Sequence, residues 1–402
     1  MTAKACSRLV VIPTNPFSAY EKKGLENLFD YYNPNHLFKE VYAVSPLEHG
    51  VRFAHGLHII GTTWRGFKRT VASIKPQVVR AYGGYWAADL AVYSKLPGVP
   101  IVVSVHDAPP VWPHSSVRYA DCVICMSKVV AQAAEKCGVD SSRIRIMPNR
   151  VNLDTFQPVR GEPPLLLRLP DRDKIRVVLH IGRLEFQKNQ ETLIRALARL
   201  PEEYHGYFIG QGKNGRYLAL AQACGVASRC HWVDSVPNSQ LPLWYNSCDC
   251  FCTPSRFEGF GIVFIEAAAC GCPIVTSDIS PMNEYLEHGV SAHLVKAYES
   301  PDALAVAIAH VCTDGPYQCR LRQGASLAAR RFDKVRIDKE EAELYLDVIS
   351  KPPRVFSVAD HLGAGRCFWR HRITEASVSA FWTRTAWMRK IIKTGMQAFH
   401  ER

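Results

Sequence analysis

The chain has 402 residues, 47% hydrophobic and 21% charged, a composition that excludes wholesale disorder and, at this length, points to two or three domains. No run approaches the roughly 18 consecutive apolar residues of a membrane span. The leading apolar run, Leu9 to Ile12 before Pro13, falls short of the roughly 7–15 residues of an export signal, so a cytoplasmic protein is expected. The net charge of +12 is uneven: from Lys351 onward ten Lys and Arg face three Asp and Glu. Such a surface suits nucleic acid, anionic lipid or phosphorylated substrates; the absence of zinc-finger spacing and of an aromatic RNA-binding strand motif sets nucleic acid aside.

In chain order, short apolar runs predict strands at 8–12, 40–44, 77–81, 101–105, 121–126 and 143–147. Helical patterns lie between them, for example at 87–96 and 127–137, the latter opening with Ser127 as the expected cap of its first turn. A stretch at 158–174 holds Pro158, Pro163, Pro164 and Pro170 and reads as a linker. The same grammar then restarts: strands at 176–181, 207–209, 231–233, 249–253 and 273–276, helices at 190–200, 216–223 and 262–269. Strands alternating with helices imply parallel sheets covered on both faces, hence two Rossmann-like doubly wound α/β units with a cleft between them. The expected division is 1–157, the linker 158–174, 175–330, a helix over 331–350 crossing back to the first unit, and a tail over 351–402.

The 14 cysteines sit mostly in apolar runs and read as small buried hydrophobes. Cys122 and Cys125 have metal-like spacing but no matching second pair, so neither a metal nor a disulfide is expected. Cys248, Cys250 and Cys252 alternate and are expected on one face of a strand.

Two segments carry the chemistry. In Pro254-Ser-Arg-Phe-Glu-Gly-Phe-Gly-Ile-Val-Phe-Ile-Glu266 a strand gives way to a glycine-containing loop and then a helix. The amides of Gly259, Phe260, Gly261 and Ile262 would lie at that helix N-terminus, which favours phosphate or a developing oxyanion. Glu258 precedes the helix and Glu266 lies within it, placed to face different parts of one elongated ligand. In His180-Ile-Gly-Arg183-Leu-Glu-Phe-Gln-Lys188-Asn189 two cations, Arg183 and Lys188, leave a strand end together, a pairing suited to a diphosphate.

Together with Gly210-Gln-Gly212, Asp249 and Cys270-Gly-Cys-Pro-Ile-Val-Thr-Ser277, these segments resemble the retaining glycosyltransferases of family 4, the glycosyl transferases group 1, which have the two-domain GT-B fold. The resemblance covers nearly all of the second unit. In the first, Pro100-Ile-Val-Val-Ser-Val-His106-Asp107 and Ile146-Met-Pro-Asn149-Arg-Val-Asn-Leu-Asp-Thr-Phe156 match less tightly. The resemblance implies a sugar moved from a nucleotide-sugar donor to a glycan, lipid-linked or small-molecule acceptor, with retention and without a metal or other cofactor. It assigns Arg183 and Lys188 to the donor diphosphate, Glu266 to the ribose, and Glu258 and, across the cleft, His106 to the sugar. The 259–262 amides would meet sugar hydroxyls or phosphate. Asp171-Arg-Asp173 has the spacing of a metal-binding motif, but its place in the linker discounts it. Two alternatives are a nucleotide-sugar epimerase on the same fold and a catalytically silent nucleotide- or carbohydrate-binding protein.

The chain departs from the pattern in the first unit. Pro13-Thr-Asn-Pro-Phe17 stands where a Gly-Gly pair is common, and Asn149-Arg150 where Asn-Gly is common. In the tail, Val378, Phe381, Trp382, Thr385, Met388 and Phe399 recur at helical spacing among Arg384, Arg389, Lys390 and Lys393. That pattern over 378–399 fits an interfacial anchor on an anionic membrane surface, or equally a helix packed on the first unit.

Overall fold

The computed structural model describes residues 6–21, 28–159 and 175–372. Its first part runs β1 (Cys6–Ile12), α1 (Phe17–Glu21), α2 (Leu28–Tyr32), β2 (Phe38–Ser45), β3 (Val51–Ala54), β4 (Leu57–Gly61), α3 (Phe67–Ile74), β5 (Val78–Tyr82), α4 (Trp86–Tyr93), β6 (Ile101–Val105), β7 (Cys122–Cys125), α5 (Lys128–Lys136) and β8 (Ile144–Ile146). These strands form an eight-stranded sheet in the order β3-β4-β2-β1-β5-β6-β7-β8, parallel except at the β3–β4 edge. Every residue of β5, β6 and β7 is buried, because helices cover both faces; that is why these strands read as unbroken apolar runs.

The second part runs β9 (Arg176–Ile181), α6 (Gln190–Leu197), β10 (Tyr204–Ile209), α7 (Gly215–Ala223), β11 (Cys230–Val233), α8 (Leu241–Ser247), β12 (Cys250–Thr253), α9 (Ile262–Ala269), β13 (Ile274–Ser277), α10 (Met282–Tyr285), β14 (His293–Val295), α11 (Pro301–Thr313) and α12 (Gly315–Ala329). Its six-stranded parallel sheet has the order β11-β10-β9-β12-β13-β14. In both sheets the order reverses beside the first strand, the kind of switch point at which open parallel sheets leave a crevice.

Helix α13 (Lys334–Ser350) then returns to the first sheet. Tyr345 packs edge-on against Phe38 with ring centroids 5.4 Å apart, and Glu341 meets both Arg80 and Arg150. A final helix, α14 (358–372), lies on the first sheet's outer helices: Phe368 stacks on Tyr93 at 4.4 Å, and Ala364 and Phe368 are buried. The start of the expected tail is therefore part of the first unit's core. The stretch 378–399 lies outside the described residues, as does Asp171-Arg-Asp173.

Three sequence expectations are corrected. The β3–β4 hairpin went unread, because Val51 and Phe53 point outward and the pair lacks a buried apolar run. Ser127 does not cap α5; its hydroxyl donates to the carbonyl of Gly259 in the second unit, at 2.6 Å. Cys248 does not share a face with Cys250 and Cys252. It ends α8 before the strand begins, and its thiol meets that of Cys272 at 3.2 Å, while Cys250 and Cys252 pack in the opposite core.

Candidate active site

The site gathers at the carboxyl ends of β9, β10 and β12, where the loops leading to α6 and α9 meet. Gly182 follows β9, and Gly210 follows β10 so closely that a Cβ there would lie 2.0 Å from the Gly182 carbonyl oxygen. The Gly210-Gln-Gly212 run is thus a packing requirement that seats one loop against the other. Asn189, at a φ of 55°, turns the chain into α6 and ties its amide to the Pro254 carbonyl at 3.0 Å. Beneath the loops, buried His180 donates from Nδ1 to the Cys252 carbonyl and accepts at Nε2 from Gln190. Burial pushes its pKa down to about 3, so the imidazole is a neutral strut at pH 7.

Glu258 is buried and accepts from Lys188 Nζ at 2.5 Å and Ser255 Oγ at 2.7 Å on one oxygen, and from Gln187 Nε2 at 3.2 Å on the other. Lys188 therefore rests on Glu258, a pairing that spacing alone did not reveal. Ser255 is itself held by Ser277, whose hydroxyl donates to the Ser255 carbonyl. Arg183 behaves differently: its side chain is mostly in solvent and pairs with Glu185 at 3.0 Å. Two cations are present on the loop, one buried against a carboxylate and one on the rim.

Gly261 precedes α9 at a φ of 77°, a backbone setting that favours glycine, and a Cβ there would press on the Phe264 ring. The amides of Gly259, Phe260, Gly261 and Ile262 donate to no protein group among the described residues, leaving an open anion-binding end. The Phe260 ring is core, packed on Tyr285 and Phe332, so only its backbone is available for a ligand. Glu266, one turn into α9, is buried, with no cation beside it among the described residues; Tyr245 donates to its Oε2 at 3.1 Å and the Asn238 side chain hydrogen-bonds to it as well. Burial outweighs those hydrogen bonds and lifts its pKa to about 7.

From the first unit, His106 faces this region at the end of β6. Its Nε2 meets Ser104 Oγ at 2.8 Å, and burial, aided by the Arg80 guanidinium, lowers its pKa to about 4. At pH 7 it is a neutral hydrogen-bonding group. A small pocket of about 30 Å³, room for little more than a water, lies beneath it, bounded by Arg80, Tyr82, Met126, Asn149, Arg150 and Glu341. The units meet tightly at Gly259, where a Cβ would lie 1.6 Å from the His106 carbonyl oxygen. Ser127 closes on Gly259 from the other side, and the Lys128 amide donates to Glu284 Oε2 at 3.0 Å.

Sequence reasoning therefore missed Ser127, Ser255, Gln187 and Tyr245 as partners of the site, and Arg150 as the group meeting Asp338 and Glu341 of the returning helix at 2.9 and 2.6 Å. Arg150 was visible only as a departure from Asn-Gly. It has no positive φ, and its side chain is what the position supplies. At the other departure, Thr14 Oγ1 donates to the Tyr82 carbonyl and lies beside Gly83.

Comparison with known proteins bears on the same regions. The family model "Glycosyltransferase Family 4" matches residues 28–155, and "Glycosyl transferases group 1" matches 168–327. A D-inositol 3-phosphate glycosyltransferase of Xylanimonas cellulosilytica is 34% identical over 206 residues, 48% of this chain and 49% of the relative. An uncharacterised glycosyltransferase of Methanocaldococcus jannaschii is 30% identical over 206 residues, 49% of this chain and 52% of the relative. The chain thus aligns with about half the length of the curated relatives it matches. Among solved structures, Anabaena HepE, crystallised in complex with UDP and glucose, superposes with a TM-score of 0.70 at 20% identity, over 85% of this chain and 100% of that one. Sucrose-phosphate synthase of Thermosynechococcus elongatus gives 0.70 at 19%, over 86% and 99%. These likenesses establish the two-domain fold. Among the described residues no helix is long and apolar enough to cross a membrane.

Proposed function

The chain belongs to the family 4, group 1 glycosyltransferases with the GT-B fold, and on that premise we propose that it moves a sugar from a nucleotide-sugar to an acceptor with retention of configuration. The observation that carries this reading is the open N-terminus of α9, with Glu258 and Lys188 on one side and Glu266 on the other. HepE is described in complex with UDP and with UDP-glucose, which makes UDP-sugars the first donors to try.

In this reading the donor's ribose hydroxyls donate to Glu266. The diphosphate sits at the α9 amides, drawing Lys188 and, from the rim, Arg183. As the glycosidic bond breaks, charge grows on the diphosphate, and fixed amides and cations stabilise it more in the transition state than in the ground state. These residues supply that stabilisation without a divalent metal. Released from Lys188, the Glu258 carboxylate faces the sugar; neutral His106 offers the sugar a hydrogen bond from the other wall. The departing phosphate accepts the acceptor's proton on the face where the acceptor attacks, which preserves configuration. The acceptor, a glycan, a lipid-linked sugar or a small molecule, enters the cleft from the side of the first unit, where His106 stands.

Peripheral attachment to an anionic membrane surface through 378–399 fits the same reading. It is supported by α14, whose outward side carries Val358, Leu362 and Trp369 with Arg366 and Arg370. The test of the central reading is a split between two variants. Glu266→Ala should weaken nucleotide-sugar binding with a smaller effect on the bound rate. Glu258→Ala should slow transfer with donor affinity largely kept. Equal, negligible effects would remove the site; free sugar and nucleotide released without any acceptor would point to an epimerase instead.

A further inference from the structure

We infer that Asp89, His114 and His371 form a binding site for one divalent transition-metal ion, zinc by the character of its ligands, and that the ion fastens α14 to the first unit. The three residues come from α4, from the loop after β6 and from the last turns of α14, and none lines the cleft pocket. Their candidate ligand atoms all lie within 4.8 Å of one another. Asp89 Oδ2 is 2.7 Å from His114 Nδ1 and 2.9 Å from His371 Nδ1, and the two imidazoles stack with centroids 3.5 Å apart.

The second observation concerns the other carboxylate oxygen. The Asp89 side chain is 3% exposed, and its Oδ1 is buried with no hydrogen-bond partner among the described residues. Both imidazoles meet Oδ2 and neither reaches Oδ1, so the buried carboxylate is left with one oxygen unsatisfied. A divalent cation that the carboxylate chelates takes up Oδ1 and sets a positive charge beside it. Two imidazole nitrogens and a carboxylate oxygen are a ligand set that zinc accepts, and both imidazoles are about one quarter exposed, which leaves an open side for a water as fourth ligand.

Seating an ion at roughly 2.0–2.1 Å from each donor sets tetrahedral donors about 3.3–3.4 Å apart, so Nδ1 and Oδ2 part by about half an ångström and the two stacked rings, 26° from parallel, splay. Ligation through Nδ1 places the remaining ring proton on Nε2. The surroundings hold the ligands in place: Cys367 Sγ lies 3.3 Å from Ser115 Oγ, Phe368 stacks on Tyr93, and the Tyr85 ring meets His114 edge-on. The site is independent of the donor cleft, so its test does not depend on the proposed reaction.

The experiment uses the full chain, stripped with a chelator and titrated with zinc against a chromophoric competitor. Wild type and the His114→Gln, His371→Gln and Asp89→Asn variants are compared. His371 is partly exposed, so its replacement is the variant least able to disturb folding, and circular dichroism with an unchanged unfolding profile of the metal-free protein checks this. The expected result is one equivalent bound by wild type that each substitution weakens by at least about tenfold, the loss that removal of even an outer-shell partner produces. Zinc should also raise the Tm of wild type and not that of His371→Gln. Equal zinc stoichiometry and affinity in wild type and His371→Gln would overturn the site and leave a purely hydrogen-bonded triad.

Discussion

Glu258 and Glu266 are both buried beside the first turn of α9, yet their surroundings differ in kind. Glu258 has a cation at 2.5 Å and two further donors; Glu266 has a phenol and the Asn238 side chain and, among the described residues, no cation. With its pKa lifted to about 7, Glu266 binds a proton more tightly in the folded than in the unfolded chain. Its contribution to stability is therefore greatest below its ordinary carboxylate range and is lost as pH rises through about 7. A ribose whose hydroxyls donate to it favours the ionised form, so donor binding should expel the proton. The expected outcome is nucleotide-sugar affinity that strengthens from pH 6 to pH 8, with the slope abolished in Glu266→Gln. Calorimetry at several pH values checks this, and a slope surviving in the variant would assign it elsewhere. The residue types and their spacing made both glutamates readable in the sequence. Their partners were not, because Lys188 and Tyr245 reach them from 70 and 21 residues away through side-chain directions that spacing does not encode.

At the scale of elements, the interior strands were legible as apolar runs, and β9 and α9 begin and end where their patterns do. The β3–β4 edge was not, since an exposed antiparallel hairpin has no continuous buried face to announce it. The loop before α9 was read for amides offered to a ligand, whereas Gly259 is a glycine because the opposite unit leaves no room for a side chain. Gly259→Ala would set a Cβ against the His106 carbonyl and force the units apart at this point. Strain of this kind costs about 1–3 kcal/mol. The expected result is a lower Tm and a large fall in transfer rate, with a smaller loss of donor affinity, because the groups assigned to the diphosphate and ribose belong to the second unit while His106, assigned to the sugar, moves away with the first. Retained transfer at a wild-type rate would show that the contact is dispensable. The last helix makes a separate claim. Truncation after Pro353 removes Phe368 from Tyr93 and Trp64, a loss of buried aromatic packing of about 3–5 kcal/mol, and should lower Tm sharply. Truncation after Arg372 keeps that packing and should leave Tm near wild type while abolishing attachment to anionic vesicles. Unchanged vesicle partitioning in the shorter truncation would retire 378–399 as an anchor.

Over the whole molecule, one apolar core runs through both units, and the returning helix is pinned to the first by polar long-range contacts. Glu341 of α13 accepts from Arg150 and Arg80, Asp338 pairs with Arg150, and the Val151 and Lys334 amides reach across to Phe332 and Val151. These buried pairs are costly to break singly and fix how the returning helix seats on the first unit. In the sequence Arg150 was merely a departure from a familiar turn, since an ion pair spanning 191 residues leaves no local trace. The resulting cleft presents an anion-seeking helix end on one wall and a neutral histidine over a polar pocket on the other. The most direct measurement is calorimetric titration of the full chain with UDP-, GDP- and ADP-sugars in the presence of EDTA, repeated on Lys188→Ala and Glu266→Ala. Saturable one-to-one binding of one donor class by wild type, weakened at least about tenfold (1.4 kcal/mol or more) in both variants, is the expected result. Failure of every nucleotide-sugar to bind, or equal affinity in wild type and both variants, would contradict the assignment of this cleft as a donor site.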